Sequence, residues 1–149
     1  ALPRGACKTP VTRLFLDTSV LFSAALSDKG ASRQLILWGF QGRVRLFISS
    51  FVVEEAERNL SRKAPAALPA LRVFLAAAPF TILEPSPAQV ARAAAFTELK
   101  DAPIVAAAMK ARAAYLVTFD AAHLLGNAQI EREAALLIRT AGDVLSALQ

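Results

Sequence analysis

Short continuous apolar runs alternate along the chain with longer stretches whose apolar residues recur at helical spacing. Residues 13–17 read Arg-Leu-Phe-Leu-Asp and residues 44–49 read Val-Arg-Leu-Phe-Ile-Ser, the kind of run that forms a strand buried on both faces. Further strands are predicted at 80–83, 115–118 and 134–138. Between them the pattern predicts helices over 18–26, 32–40, 50–63, 70–78, 88–99, 102–113 and 141–148, with a short helical turn at 121–125. Thr18 or Ser19 is placed to cap the first helix and Ser50 the third, and Pro103 falls in a first turn, where proline is tolerated. Strands that alternate with helices argue for an α/β fold, a parallel sheet covered on both faces.

The totals narrow this picture only in part. A chain of 149 residues suits one domain, and 55% hydrophobic content excludes a disordered one. Residues 1–12 carry two prolines and no periodicity, so they read as a loose leader, with the domain spanning 13–149. The longest apolar run, 73–83, is too short to cross a membrane and contains Pro79. Arg4 and Lys8 are followed by no apolar segment of the secretory type. The single cysteine, Cys7, allows no intrachain disulfide, so the reading is a reducing, cytoplasmic compartment. A net charge of +5 permits a polyanionic partner without requiring one.

Candidate chemistry follows from the strand ends, because open parallel sheets bind ligands beyond the carboxyl ends of their strands. Asp17 ends the first strand. Asp120 lies two residues past Thr118, the end of the fourth. Asp101 opens the helix before that strand, and Glu54, Glu55 and Glu57 lie early in the helix after the second. Each has a plainer role open to it: Asp17, Asp101 and Asp120 as helix caps, the glutamates as complements to a helix dipole. The remaining aspartates, Asp28 and Asp143, suit a turn and a first helical turn. Carboxylates gathered at one sheet edge repel unless cations neutralise them, and an all-oxygen set suits Mg²⁺ or Mn²⁺. Two such ions can drive phosphodiester hydrolysis. Other chemistries lack their residues. One cysteine and one histidine, His123, make no zinc site of the usual kind, and neither a nucleophile elbow, a P-loop nor a dinucleotide fingerprint is present.

Four segments resemble the motifs of PIN-domain nucleases, including toxin ribonucleases of the VapC type. They are Leu-Phe-Leu-Asp17-Thr-Ser-Val-Leu, Ile48-Ser-Ser-Phe-Val-Val-Glu-Glu55-Ala, Lys100-Asp101-Ala-Pro-Ile-Val-Ala-Ala-Ala and Tyr115-Leu-Val-Thr118-Phe-Asp120. Order and spacing agree from Arg13 onward. The resemblance implies a three-layer α/β/α sandwich with a central parallel sheet of about five strands. It implies a metal-dependent endoribonuclease in which Asp17, Glu55, Asp101 and Asp120 hold Mg²⁺ or Mn²⁺, while Ser19 and Thr118 orient carboxylates. Water activated there would attack phosphorus and leave a 5′-phosphate and a 3′-hydroxyl. Arg58 and Lys100 are candidates to steer the RNA backbone. The family likeness selects Glu55, and the helix supports it, since Glu55 borders the apolar face of Val52, Val53, Ala56 and Leu60; Glu54 stays open. The toxin likeness further implies a homodimer and a small antitoxin protein as partner.

Two features bear on that expectation. Some relatives carry a further acid beyond the fourth motif, where this chain has Ala121, Ala122, His123 and Asn127, so a second metal would be weakly held or supplied by substrate. A non-catalytic PIN-like module that binds RNA or protein is the alternative from another class, and four retained carboxylates argue against it. A phosphatase-type use of Asp17 as nucleophile would want an aspartate two residues on, where Ser19 stands.

Overall fold

The computed structural model describes residues 10–149. Its centre is a five-stranded, all-parallel sheet in the order β3-β2-β1-β4-β5. The strands are β1 (Thr12–Leu16), β2 (Val44–Ser49), β3 (Phe80–Leu83), β4 (Tyr115–Val117) and β5 (Leu137–Arg139). Helices α1 (Thr18–Leu26) and α2 (Ala31–Phe40) link β1 to β2; α3 (Ser50–Lys63) and α4 (Leu68–Ala77) link β2 to β3. The chain then passes over β2 and β1 through α5 (Pro87–Ala93) and α6 (Ala102–Lys110) to reach β4 on the far side. Helix α7 (Ala128–Ala134) precedes β5, and α8 (Ala141–Leu148) ends the chain. The result is an α/β/α sandwich. Most of the leader expected at 1–12 lies outside the described residues, and Thr12 already opens β1.

The apolar runs sit where their composition requires. Leu14, Phe15 and Leu16 of β1 are fully buried, because helices cover both faces of the central strand. β3 is the edge, and Ile82 there is largely exposed. Gly39 of α2 lets that helix close on β2: a Cβ there would lie 2.3 Å from Leu46 Cδ1.

Several boundaries differ from those the sequence suggests. The helix expected at 88–99 is α5, which begins at Pro87 under a Ser86–Gln89 capping box and stops at Ala93. Phe96 and Thr97, both weak helix formers, fall in the turn that follows. Residues 121–125 form hydrogen-bonded turns, with Leu124 and Leu125 N–H donating to Asp120 O, as the short helical turn expected there requires. The turns end at Gly126, at φ 78°, and Asn127 then caps α7, its side chain accepting from Ile130 N–H. The last strand is therefore displaced from 134–138 to Leu137–Arg139, after Ala135 ends α7 in the left-handed region at φ 57°.

Candidate metal centre

The order β3-β2-β1-β4-β5 reverses direction between β1 and β4, and a crevice opens beyond the carboxyl ends of strands at such a point. Asp17 stands there, immediately after β1, and is 6% exposed. It is itself the N-cap of α1, its Oδ1 accepting from Thr18 N–H at 2.7 Å, so the cap is not Thr18 or Ser19. Capping leaves the other oxygen for the crevice side. Oδ2 accepts from Thr118 Oγ1 at 2.7 Å and, more weakly, from Ser19 Oγ at 3.4 Å. Burial raises the Asp17 carboxyl above its ordinary range, opposed by the Thr118 and Thr18 hydrogen bonds and reinforced by the negative charges of Glu55 and Asp120.

Thr118, fully buried just past β4, joins two acids. Its hydroxyl donates to Asp17 and accepts from Asp120 N–H at 3.0 Å. Asp120 Oδ1 accepts from Ala122 and His123 N–H at 3.0 and 3.1 Å, a local turn that fixes the carboxylate. Oδ2 takes no part in it. Ser19 Oγ accepts from Phe119 N–H at 3.0 Å and so holds the start of α1 against the segment after β4.

Helix α3 brings the glutamate. Its N-cap is Ser49, whose side chain accepts from Val52 N–H, one residue before the expected Ser50. Val52, Ala56 and Leu60 are buried, which turns Glu55 to the crevice, while Glu54 is exposed and absent from its lining. Glu55 Oε1 accepts from Thr18 Oγ1 at 2.5 Å.

Asp101 precedes α6 in the position of an N-cap, yet its side chain makes no capping hydrogen bond. It is 6% exposed, and Oδ2 has no hydrogen-bond partner at all. Burial raises this carboxyl too; Lys100 pulls it down, and Asp120 and Glu98 push it up. A buried carboxylate oxygen without a donor costs free energy that a cation would recover.

All four acids line one cleft of about 530 Å³, together with Thr18, Ser19 and Lys100. Phe51 and Asn59 also line it, unremarked in the sequence, as does Lys63, which with Arg58 and Arg62 reads there as a solvated helix face. The signal was present, because positions 51, 55, 59 and 63 repeat every four residues and so share a stripe with Glu55 along about 18 Å of α3. Arg58 is exposed and lies outside the lining. At the rim, His123 Nε2 lies 3.0 Å from Glu98 Oε2, and Nδ1 lies 3.1 Å from Lys100 Nζ and 3.7 Å from Asp120 Oδ2. Glu98, Asp101 and His123 bring one ligand atom each within 4.8 Å of one another, a group able to hold a divalent cation.

The family profile described as the PIN domain matches residues 13–122, from β1 through Asp120. The chain belongs to the PIN domain family. Solved structures agree on the fold. PAE2754 from Pyrobaculum aerophilum is 21% identical at a TM-score of 0.63, with 92% of this chain and 95% of that chain covered. VapBC2 from Rickettsia felis, bound to a DNA fragment from its promoter, is 20% identical at 0.61, covering 87% and 98%. VapC20 of Mycobacterium tuberculosis, a Sarcin-Ricin loop cleaving toxin, is 18% identical at 0.55, covering 73% and 91%. A search among curated protein sequences finds no match. In this PIN domain the carboxylate donors and the unpartnered Asp101 oxygen fit a hard divalent ion. Among the described residues no helix is long and apolar enough to cross a membrane.

Proposed function

We propose that the chain is a metal-dependent endoribonuclease. The observation that carries this reading is the meeting of Asp17, Glu55, Asp101 and Asp120 in one cleft with a buried Asp101 oxygen left unpaired. The four carboxylates would hold Mg²⁺ or Mn²⁺, and the bound ions would supply an activated water and charge stabilisation at the scissile phosphate. Thr118 keeps the Asp17 oxygen in place and ties its position to Asp120. Thr18 orients Glu55. Lys100 and Lys63, at the cleft wall, attract the phosphate backbone, and Phe51 offers a half-exposed ring against which a base can stack. Hydrolysis would leave a 5′-phosphate and a 3′-hydroxyl.

The toxin likeness extends the proposal to a cytoplasmic homodimer held in check by a small protein partner that covers the cleft. Leu99, 79% exposed beside Lys100 at the cleft mouth, is an apolar contact such a partner would cover. The direct test is cleavage of single-stranded RNA by the purified chain with Mg²⁺, with Mn²⁺ and with EDTA. Cleavage should require the ion and fall by about 100-fold or more in Asp120→Asn. Equal cleavage by wild type and variant would refute the assignment.

A further inference from the structure

Beside Asp101 and Asp120 the cleft rim adds a further carboxylate, Glu98, and one imidazole, His123. We propose that Glu98 and His123 complete a second cation position that shares Asp101 with the first, and that its nitrogen ligand makes it select Mn²⁺ over Mg²⁺. This rests on the reading of the four carboxylates as metal ligands.

Two independent observations support it. The first is proximity: Glu98, Asp101 and His123 each present a ligand atom within 4.8 Å of the others, although they come from a turn, a helix start and the turn after β4. The second is the Asp101 Oδ2, which is buried in the cleft wall and finds no donor there. One carboxylate with two oxygens can serve two ions, a bridging role that suits an acid making no capping bond.

The hydrogen bonds also show how the position is kept without an ion. With Lys100 Nζ donating to His123 Nδ1 at 3.1 Å, the ring proton sits on Nε2 and faces Glu98 Oε2 at 3.0 Å. The lysine ammonium is thus a built-in cation beside these acids. An ion held by Nε2 would require the ring proton on Nδ1, where Asp120 Oδ2, 3.7 Å away, could accept it in place of the Lys100 contact. The net proton count on the ring does not change. An imidazole ligand disfavours Mg²⁺, which prefers oxygen, relative to Mn²⁺ and the later transition ions.

The test uses the metal-free chain and Mn²⁺ alone. Titration followed by calorimetry and by the electron paramagnetic resonance of free Mn²⁺ should count two ions per chain, and spin-echo spectra should carry nitrogen modulation from an imidazole. His123→Ala should bind one ion without that modulation, and Glu98→Gln should weaken the nitrogen-coupled ion by about tenfold or more. Mg²⁺ should compete for that ion about tenfold less well than Mn²⁺. Asp17→Asn should lose the other ion and keep the modulation. A single ion in the wild type, no nitrogen modulation, or modulation that survives His123→Ala would overturn the proposal. Failure of the nuclease reading would look different, as unaltered cleavage in Asp120→Asn with the ion count intact. The wild-type spectrum does not depend on any variant folding, and both side chains are partly exposed, at 34% and 58%.

Discussion

At the scale of single residues the site is a set of carboxylates held by hydroxyls. Thr118 illustrates the arrangement, since one oxygen both donates to Asp17 and accepts from Asp120 N–H. Thr118→Val keeps the shape but strands both partners, so it should destabilise the chain by about 1–3 kcal/mol in chemical denaturation. It should also weaken Mn²⁺ binding by roughly 10–100-fold, because the acids lose their support. Charge gives a second prediction. Burial raises the Asp17 and Asp101 carboxyls above the ordinary 3.8. Between that value and the raised ones the folded chain holds more protons than the unfolded chain, so metal-free stability falls as pH climbs through the interval. Tm in chelator should therefore decline as pH rises from about 3.8, and an Asp17→Asn, Asp101→Asn double variant should decline less. Parallel pH profiles for the two proteins would show that these carboxyls ionise without penalty. Sequence pattern brought the four acids into view because Asp17 and Asp120 follow strands, Asp101 opens the helix before one and Glu55 lies on the helix after one. It left Asp101 balanced between cap and ligand, a choice that depends on whether one oxygen has a donor. That is a matter of tertiary contact which no spacing encodes.

At the scale of elements, the strand and helix order was legible wherever apolar runs were long or glutamate-flanked, as in β1, β2 and α3. The C-terminal third was harder. Asn127 caps α7 through its own side chain, yet next to Gly126 it has the same composition as a turn. Glu131 then accepts from Ile138 N–H and from Arg139, contacts that pin β5 beyond the expected 134–138. Ala135, left-handed at φ 57°, connects the two. A Cβ is unfavourable there, so Ala135→Gly should stabilise the chain by about 1 kcal/mol, read as a rise in urea midpoint. Gly39 is the opposite case. Gly39→Ala drives a methyl into Leu46 and should cost about 1–3 kcal/mol. Adding Leu46→Ala should make the pair less costly than the sum of the two single changes, because each relieves the clash or void left by the other.

At the scale of the whole molecule, an ion that binds only the folded cleft would stabilise the fold by mass action. Free Mn²⁺ at 100 times its dissociation constant should stabilise the chain by about 2.7 kcal/mol and raise Tm accordingly. EDTA should reverse the rise, and Asp17→Asn should remove the share that comes from the ion Asp17 holds; an unchanged Tm in both would leave the acids without an ion. The parallel sheet has a consequence in time as well as space. Asp17 is linked to Thr118 across 101 positions, and the strand carrying each reaches its neighbour only after long excursions through helices. Such non-local pairing is slow to form and depends on the later part of the chain. During synthesis, the early acids leave the ribosome while their partners are still uncoded in the growing peptide. A cleft built in this order is not assembled until most of the chain has been made, so a truncated product has the early carboxylates without their partners.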